Sequence, residues 1–483
     1  MRKTFMGVRL RRLREERGLT QVALADALDL STSYLSQLEK NQRPLTVPIL
    51  LRLNAVFGVD VQLFSESEEA RLIADLRDTL SDTGIGETVS VAEIRELAAN
   101  MPAVGRALLS LHRRYRGAVE RAEAMAARLG DDWQAVAPPP MPYEEVRDFF
   151  YARHNHLAEL DEAAERLYQT AGFSIGAINA DLTEYIARRH GVRVVLDTAE
   201  GDDDAPQRRY DPASRVLHLS AHLRPGQRAF QMATQLAFLE MGDELQRIAG
   251  DAAFSSDEAR SLARIGLANY FAGALILPYG AFLHAAETLR YDIERLGQQF
   301  GVGFETICHR LSTLQRPEAR SVPFFFIRVD RAGNISKRQS ATSFHFSRVG
   351  GSCPLWTVYE AFARPTEIQV QLAQMPDGRS YLWIARTVHR RYGGHGTQGK
   401  TFAIGLGCDL RHAQRLVYSR GLDLTSPSSL VPIGPGCKVC DRVNCPQRAF
   451  PAIGKPLDAN PQHGSFIPYA TDDTADRPDG AEP

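Results

Sequence analysis

The sequence predicts a multidomain α+β protein, and three observations lead to that fold class. With 483 residues the chain is too long for one domain and has room for three or four. Residues 19–44 have the apolar spacing of two short helices, residues 321–402 are rich in strand formers, and residues 436–446 gather three cysteines. We therefore expect an all-α domain at 1–65, a helical arm at 66–140, an α+β domain at 141–320, a strand-containing cysteine-rich domain at 321–455 and a tail at 456–483.

Residues 19–44 have the pattern of a helix-turn-helix, in which two short helices pack at a fixed angle. Asp29 occupies the corner between them, where a left-handed conformation is usual, and Ser31 is placed to cap the second helix. The apolar residues face inward at helical spacing, and they are Leu24, Ala25, Leu28, Leu30, Leu35 and Leu38. The outer face is polar and is predicted to meet DNA.

The outward polar residues of this segment divide by the contact that each type makes best. We expect Thr32, Ser33 and Gln37, on the second helix, to reach base edges. The residues suited to phosphate contacts are Gln21, Lys40 and Arg43. Residues 1–45 carry nine basic against five acidic side chains, although the whole chain is balanced at 57 against 58, so the basic excess lies where DNA would. The alternative is a small amphipathic helical hairpin without DNA binding.

Residues 66–140 are rich in Ala, Leu, Arg and Glu and predict a helical arm that ends at three consecutive prolines. Apolar residues repeat there at helical spacing, namely Val104, Leu108, Leu111, Tyr115, Val119, Ala122 and Met125. A long helix with one apolar stripe needs a partner. That partner is a second copy, forming a homodimer with two recognition helices, or the arm's own chain.

Residues 141–320 predict an α+β domain with strands near 193–196 and 215–219 and helices at 228–239 and 267–278. This helix pair is similar to the zinc peptidases that cleave phage-type repressors, whose helices read Ala-His-Glu-Leu-Gly-His and Glu-Ala-Asn-x-Phe-Ala. At the matching positions Thr234 and Phe238 replace the histidines, Gln235 the glutamate and Leu267 the third ligand. Without ligands or a base we expect no peptidase activity and no enzyme.

The eroded cleft is predicted to bind a small molecule. Its candidate lining residues are Arg228, Phe230, Thr234, Phe238, Tyr270 and Phe271. Aromatic residues at helical spacing usually form cores, so for any single one of them core packing is favoured over a pocket. His218 and His222 stand four apart, but Leu219 occupies the place of the glutamate and the segment predicts a strand, so we expect no metal there.

Three of the six cysteines form a C-x2-C-x4-C pattern followed by proline, which indicates a metal site in a reducing compartment. Cys437, Cys440 and Cys445 are the expected ligands, with Cys408 our first choice and Cys353 our second for the fourth. We favour an iron–sulfur cluster of the [4Fe–4S] type over zinc, because an all-cysteine set followed by proline is typical of ferredoxin loops. Cys308 lies in a helical pattern and predicts a buried thiol.

The order of these segments resembles the bacterial short-chain fatty acyl transcriptional regulators, the group that includes regulators of propionate, methylcitrate and glyoxylate metabolism. The resemblance spans nearly residues 5–455. It implies a regulator that binds double-stranded operator DNA, a central domain that responds to a short-chain acyl-coenzyme A (acyl-CoA), and an iron–sulfur cluster on the C-terminal cysteines. The alternatives are a zinc-stabilised DNA-binding protein without redox sensing and a regulatory metallopeptidase.

The same sequence bears on location. No run of eighteen apolar residues occurs, and the basic N-terminus is not followed by an apolar segment. We expect no signal peptide and no membrane span, and a cytoplasmic protein associated with the nucleoid. The last dozen residues are mostly acidic and predict a disordered tail.

Overall fold

The structure is a computed structural model. It describes residues 7–40, 42–57, 66–80, 89–129, 142–197, 206–342, 344, 352–390, 399–442, 445–451 and 462, so the predicted tail lies almost entirely outside the described residues. The chain forms two compact units. The first contains Met1–Gln134, Ser343–Cys353 and Pro435–Pro483, and the second contains Ala135–Thr342 and Pro354–Gly434. The cysteine-rich segment therefore groups with the N-terminal residues, and the predicted strand domain is divided between the two units.

The first unit begins with four helices, which are α1 (Gly7–Glu16), α2 (Gln21–Ala27), α3 (Thr32–Glu39) and α4 (Val47–Phe57). The predicted corner is confirmed, since Asp29 has a φ of 54°. Ser31 caps α3 by accepting a hydrogen bond from the Tyr34 N–H at 3.1 Å, and Thr20 caps α2 in the same way. The inward leucines form one core with residues of α1 and α4, including Leu10, Leu24, Leu28, Leu35, Leu38 and Leu53.

Three further helices form the arm, α5 (Glu66–Leu80), α6 (Val91–Asn100) and α7 (Pro102–Leu129). Ser90 and Glu93 cap α6 reciprocally, each accepting a backbone hydrogen bond of the other. The buried residues between the helices are Leu72, Leu76, Ile94 and Ala98. Helix α7 has 28 residues, which confirms the long helix that the sequence predicts.

The second unit opens with a layer of helices against a small mixed sheet. The strands β1 (Arg193–Asp197), β2 (Arg208–Asp211) and β3 (Val216–Ser220) run in the order β1-β3-β2. The helices are α8 (Pro142–Ala152), α9 (Ala158–Ala171), α10 (Ile178–His190), α11 (Pro225–Glu240), α12 (Gly242–Asp251), α13 (Asp257–Ile276), α14 (Tyr279–Thr288), α15 (Ile293–Phe300) and α16 (Phe304–Leu311). Both predicted helices, now α11 and α13, are confirmed, and they pack against each other.

A six-stranded sheet completes the second unit, in the order β5-β4-β8-β7-β6-β9. Its strands are β4 (Phe325–Val329), β5 (Ile335–Ser340), β6 (Gln369–Gln374), β7 (Ser380–Arg390), β8 (Lys400–Asp409) and β9 (Val431–Pro432), and α17 (Thr357–Glu360) packs on β6, β7 and β8. Gly405 and Gly407 of β8 lie on the same face of the sheet, because alternate residues of a strand point to the same side. Having no side chains, they leave room on that face for the side chains of Trp383, Val358 and Phe325.

No single helix among the described residues is both long and apolar enough to cross a membrane; α13 and α14, which bend by 60° where they join, meet that requirement only as a pair.

Candidate DNA-binding, effector and cysteine sites

Helix α3 presents the polar surface that the sequence predicts. Thr32 and Ser33 are exposed in its first turn, and Gln37 lies about one turn further along and is half-buried. The Ser31 cap fixes the start of the helix, so these side chains keep a constant spacing. This is the geometry of a recognition helix whose N-terminal residues reach bases in the major groove.

The end of α3 is basic. Lys40 and Arg43 are exposed there, and the guanidinium carbon of Arg43 stands 5.2 Å from the centroid of the Tyr34 ring. A cation held over an aromatic ring keeps its charge in one place at little entropic cost. The placement fits the predicted phosphate contacts, which remain a prediction.

Gln21 takes part in a network that the sequence did not reveal. Its Nε2 donates to Glu39 Oε2 at 2.7 Å, and the Arg14 Nε donates to Glu39 Oε1 at 2.6 Å. Glu39 is only 6% exposed, so α1, α2 and α3 are joined through one buried carboxylate. Gln21 thus holds the helix pair together in addition to lying at the predicted DNA face.

The peptidase-like cleft between α11 and α13 has lost every zinc ligand. Gln235 and Leu267 are buried, and Phe238 is half-buried. Thr234 donates to the Phe230 carbonyl at 2.8 Å, and its hydroxyl lies 3.3 Å from Asn269 Oδ1 of α13. Apolar and amide groups therefore fill the positions where the peptidases bind metal.

The predicted effector residues separate into two groups. Tyr270 is 6% and Phe271 1% exposed. The Tyr270 hydroxyl donates to Asp161 Oδ2 at 2.7 Å and accepts from the Leu157 N–H at 3.1 Å. Burial raises the pKa of Tyr270 well above its usual value. These two residues belong to the core, whereas Phe230, Thr234 and Phe238 share one face of α11.

Arg208 is the cleft residue that sequence analysis missed. Its guanidinium carbon lies 5.5 Å from the centroid of the Phe238 ring, and burial lowers the pKa of the side chain. Among the described residues its buried Nη1 has no hydrogen-bond partner. The alternation of side chains along β2 and β3 could have revealed that Arg208 faces inward. Arg208 and Tyr210 pair with Leu219 and Leu217, so they point to the same face of the sheet as these two leucines.

Arg228, the predicted basic residue of the cleft, is held by its own chain. Its Nη2 donates to the Ala221 carbonyl at 2.9 Å, and its buried Nε finds no partner within the described part of the chain. Both arginines are half-buried, but a contact with the Phe238 ring is described for Arg208 alone. The pair His218 and His222 does not form a metal site, since His218 Nδ1 is 2.9 Å from Asp197 Oδ1 on the neighbouring strand, and His222 is exposed.

The cysteine loop is built around one buried arginine. Arg448 is 4% exposed, and its Nη1 and Nη2 donate to the carbonyls of Cys437 and Cys440 at 3.0 and 3.1 Å. The Ala449 N–H lies 3.5 Å from the Cys437 Sγ, as backbone donors do around metal-bound thiolates. Cys437 and Cys440 are buried and Cys445 is half-buried; burial raises the pKa of Cys440.

The two candidates for the fourth ligand lie in different surroundings. Cys353 is 5% exposed and belongs to the same compact unit as the cysteine loop. Cys408 lies in the other unit, on β8, where it joins Leu382 and Leu406 in the large core of that unit, and burial raises its pKa. Trp356, three residues after Cys353, donates its Nε1–H to the carbonyl of Gly434, three residues before Cys437, at 3.0 Å.

Two further observations complete the description of the cysteines. Within the ranges that the structure describes, no three His, Cys, Asp or Glu side chains are grouped to hold a single metal ion. Cys308 is fully buried, as the sequence predicts, and burial raises its pKa well above the usual value. Cys353 and the three loop cysteines belong to one unit. Four thiolates are a chemically suitable ligand set for an iron–sulfur cluster.

The loop also contacts the helical arm. Asp441, the residue after Cys440, forms an ion pair with Arg77 of α5, and both residues belong to the first unit. The two side chains are 46% and 25% exposed. A direct contact therefore connects the loop with the arm that follows the DNA-binding helices.

Three family models match consecutive parts of the chain. A helix-turn-helix matches residues 10–64, an IrrE N-terminal-like domain of the M78 peptidases matches 187–312, and the C-terminal domain of short-chain fatty acyl coenzyme A regulators matches 313–469. The second match confirms the peptidase resemblance. Because the positions of the zinc ligands are occupied by other residues, this domain is degenerate.

The relatives cover almost the whole chain. The chain is 55% identical over 469 residues to the HTH-type transcriptional regulator PrpR of Mycobacterium tuberculosis, which spans 97% of this chain and 96% of the relative. It is 43% identical over 467 residues to the "Propionyl-CoA carboxylase regulator" of Cereibacter sphaeroides, covering 97% and 98% of the two chains. A solved structure of a "Mycobacterium tuberculosis transcriptional regulator" matches with a TM-score of 0.66 and 56% identity, over 69% of this chain and 100% of that one.

These relatives are transcriptional regulators, so the chain is not an enzyme and its peptidase-like domain has a regulatory role. Identity at this level along nearly the full length shows that the protein belongs to the family of helix-turn-helix transcriptional regulators that carry the short-chain fatty acyl coenzyme A regulator domain.

Proposed function

We propose that the protein regulates genes of short-chain acyl-CoA metabolism and binds an acyl-CoA as its effector. The name of the C-terminal family and of the Cereibacter sphaeroides relative support this class of ligand. In this function the protein acts on operator DNA in the cytoplasm, at the nucleoid, and two copies bind together so that each supplies one recognition helix.

The observation that carries the proposal is the half-buried Arg208 guanidinium beside Phe238, whose buried Nη1 has no described partner. An acyl-CoA joins anionic phosphates to an apolar acyl chain, and its site needs a cation next to an apolar surface. A buried N–H without an acceptor costs stability, so its place beside an aromatic ring favours a ligand that supplies the missing anion. Phe230, about two turns before Phe238 on α11, extends the apolar surface.

Calorimetric titration with propionyl-CoA tests this proposal on the full-length protein. Arg208→Met should weaken binding about 10- to 100-fold, since hydrogen bonds to charged groups contribute about 1.5–3 kcal/mol. Arg209→Met is the matched control, because Arg209 is the next residue of β2, is exposed and lies on the opposite face. Equal affinities for the two variants would contradict the site, and no binding by the unaltered protein would contradict the effector.

We also propose that Cys353, Cys437, Cys440 and Cys445 hold an iron–sulfur cluster, with Cys353 in the place first given to Cys408. Membership of the same compact unit as the loop supports Cys353, and the burial of Cys408 among apolar side chains such as Leu382 and Leu406 argues against Cys408 as a ligand. Such a cluster would make the protein responsive to oxidants. The Arg448 side chain would fix the backbone of the loop in either state.

Iron and acid-labile sulfide analysis after anaerobic purification tests the ligand set. Cys353→Ser should lose most of the cluster, as should the three loop variants. Cys408→Ser should keep it, and Cys308→Ser serves as the control for loss of a buried thiol outside the set. If Cys353→Ser keeps the cluster and Cys408→Ser loses it, Cys408 is the fourth ligand. Stoichiometric zinc without iron in the unaltered protein would replace the cluster by a structural zinc site.

A further inference from the structure

Helix α7 carries an apolar strip that is exposed among the described residues. Val104 is 48%, Leu111 63% and Tyr115 60% exposed. Large apolar side chains this exposed are unremarkable singly, but these three lie on one side of one helix. The strip needs a partner outside the described chain.

The strip follows a heptad pattern to the end of the helix. Apolar residues alternate at intervals of three and four from 104 onward, at Val104, Leu108, Leu111, Tyr115, Ala118, Ala122, Met125 and Leu129. Over 28 residues the helix is about 42 Å long at about 1.5 Å per residue. Spacing of this kind sustained over more than three heptads is the pattern of a two-stranded coiled coil.

Within the chain α7 packs against α5 along one edge of the strip. Gly105 lies so close to α5 that a Cβ there would come within 3.1 Å of the Leu76 Cδ1. Leu109 packs against the same cluster, and so does Leu108, which is a strip residue at that edge. This packing leaves Val104, Leu111 and Tyr115 exposed.

The residues beside the strip indicate its orientation. The positions that precede each a residue of the heptad, called g, hold Ala107, Arg114, Arg121 and Arg128. The e positions beyond Gly105, which packs against α5, hold His112, Val119 and Ala126. In an antiparallel pair g faces g, and the arginines of the two helices would meet. In a parallel pair g faces e, where an arginine stem can lie along an uncharged neighbour. Charge therefore disfavours the antiparallel pair.

We propose that α7 pairs with α7 of a second copy as a parallel, in-register coiled coil, with Val104, Leu111 and Tyr115 in the seam. The inference rests on the proposed function in one respect, that the regulator acts as two copies. A parallel pair has its two-fold axis along the coiled coil, so both N-terminal domains lie at the same end. The preferred operator is then a site of two inverted halves.

Sedimentation of the full-length protein tests the seam. Leu111→Glu should raise the dimer dissociation constant at least 100-fold, because two carboxylates would be buried in one seam. Ala103→Glu adds the same charge at an exposed position of the same helix outside the heptad seam and should leave the dimer intact. Circular dichroism confirms that both variants remain folded. If the unaltered protein dimerises and Leu111→Glu dimerises equally well, the seam is wrong; if the unaltered protein is a monomer, the two-copy part of the proposed function fails.

Oxidative cross-linking of introduced cysteines tests the orientation. In a parallel, in-register pair each seam residue meets its own copy, so Val104→Cys and Leu111→Cys should both cross-link in high yield. Ala103→Cys, which lies outside the seam, and the unaltered protein are the controls. Cross-linking at one of the two seam positions alone would indicate an antiparallel crossing and overturn the proposed orientation.

Discussion

Two arginines of the second unit, Arg310 and Arg208, lie in regions of opposite character. Arg310, in the core between α9, α13 and α16, donates to both oxygens of Asp161 at 2.7 and 3.0 Å and to the Leu277 carbonyl at 3.0 Å. Arg208, on β2, is half-buried and has the Phe238 ring of α11 beside it and an Nη1 that no described residue accepts from. Removing one partner of a buried ion pair leaves an uncompensated charge in the core, whereas a half-buried guanidinium with a free N–H can still bind an anionic ligand.

The core network should give the largest effect when it is broken. Arg310→Met leaves the Asp161 carboxylate buried without its counter-charge, and we expect a loss of about 3–5 kcal/mol in the free energy of unfolding. Arg295→Met, at an exposed position of α15, should cost far less. Chemical denaturation followed by tryptophan fluorescence measures both. Equal stability of the two variants would show that the buried pair is not a structural element.

Acid should break the same network in a defined direction. Burial alone would raise the pKa of Asp161, but the Arg310 charge and the hydrogen bonds from His156, Arg310 and Tyr270 outweigh it, so the pKa lies below its usual range. The stabilisation is therefore complete above the carboxyl's ordinary pKa and is lost as the pH falls below it, towards the folded-state value. The unfolding midpoint of the unaltered protein should drop steeply below about pH 4. Asp161→Asn should have a lower midpoint at neutral pH and a flatter acid limb, and an equally steep limb would assign the acid transition to other carboxylates.

Replacing Arg208 should not lower the free energy of unfolding as replacing Arg310 does. Arg208→Met removes a half-buried cation whose Nη1 has no described partner, so the free energy of unfolding should stay within about 0.5 kcal/mol of the unaltered value or rise. Propionyl-CoA should then stabilise the unaltered protein against heat but not the variant, because only a ligand that binds the folded state shifts its midpoint. A large loss of stability in Arg208→Met would mean that Arg208 is paired and structural, and the contrast with Arg310 would disappear.

The smallest effect on stability is expected at the contact between the cysteine loop and the arm. The Arg77–Asp441 pair is partly exposed, so Arg77→Ala should cost less than about 1 kcal/mol. The pair is nevertheless the described contact by which the state of the loop can reach α5 and the helices before it. We expect the variant to bind operator DNA with the same affinity in its cluster-containing and cluster-free forms. A persisting difference in fluorescence anisotropy titrations would place the coupling elsewhere.

Local chemistry determined the parts of this protein that sequence analysis recovered. The helix-turn-helix follows from leucine spacing, a capping Ser31 and an Asp29 that tolerates a positive φ, and all three act within a few residues. The long α7, the eroded zinc positions of α11 and the paired cysteines of the loop are likewise visible in short windows of sequence.

The tertiary structure alone decided the rest, because those features depend on residues far apart in the chain. Glu39 accepts hydrogen bonds from Arg14 and Gln21. Arg208 lies beside the Phe238 ring, and Asp441 forms an ion pair with Arg77. Tyr270 and Phe238 look alike as aromatic residues on helices, and packing put one in the core and the other beside the cleft. Cys353 and Cys408 are both cysteines near glycine in sequence, and the structure assigns them to different compact units. Burial, charge pairing and membership of a compact unit depend on residues that are far apart in the chain, so a short stretch of sequence does not predict them.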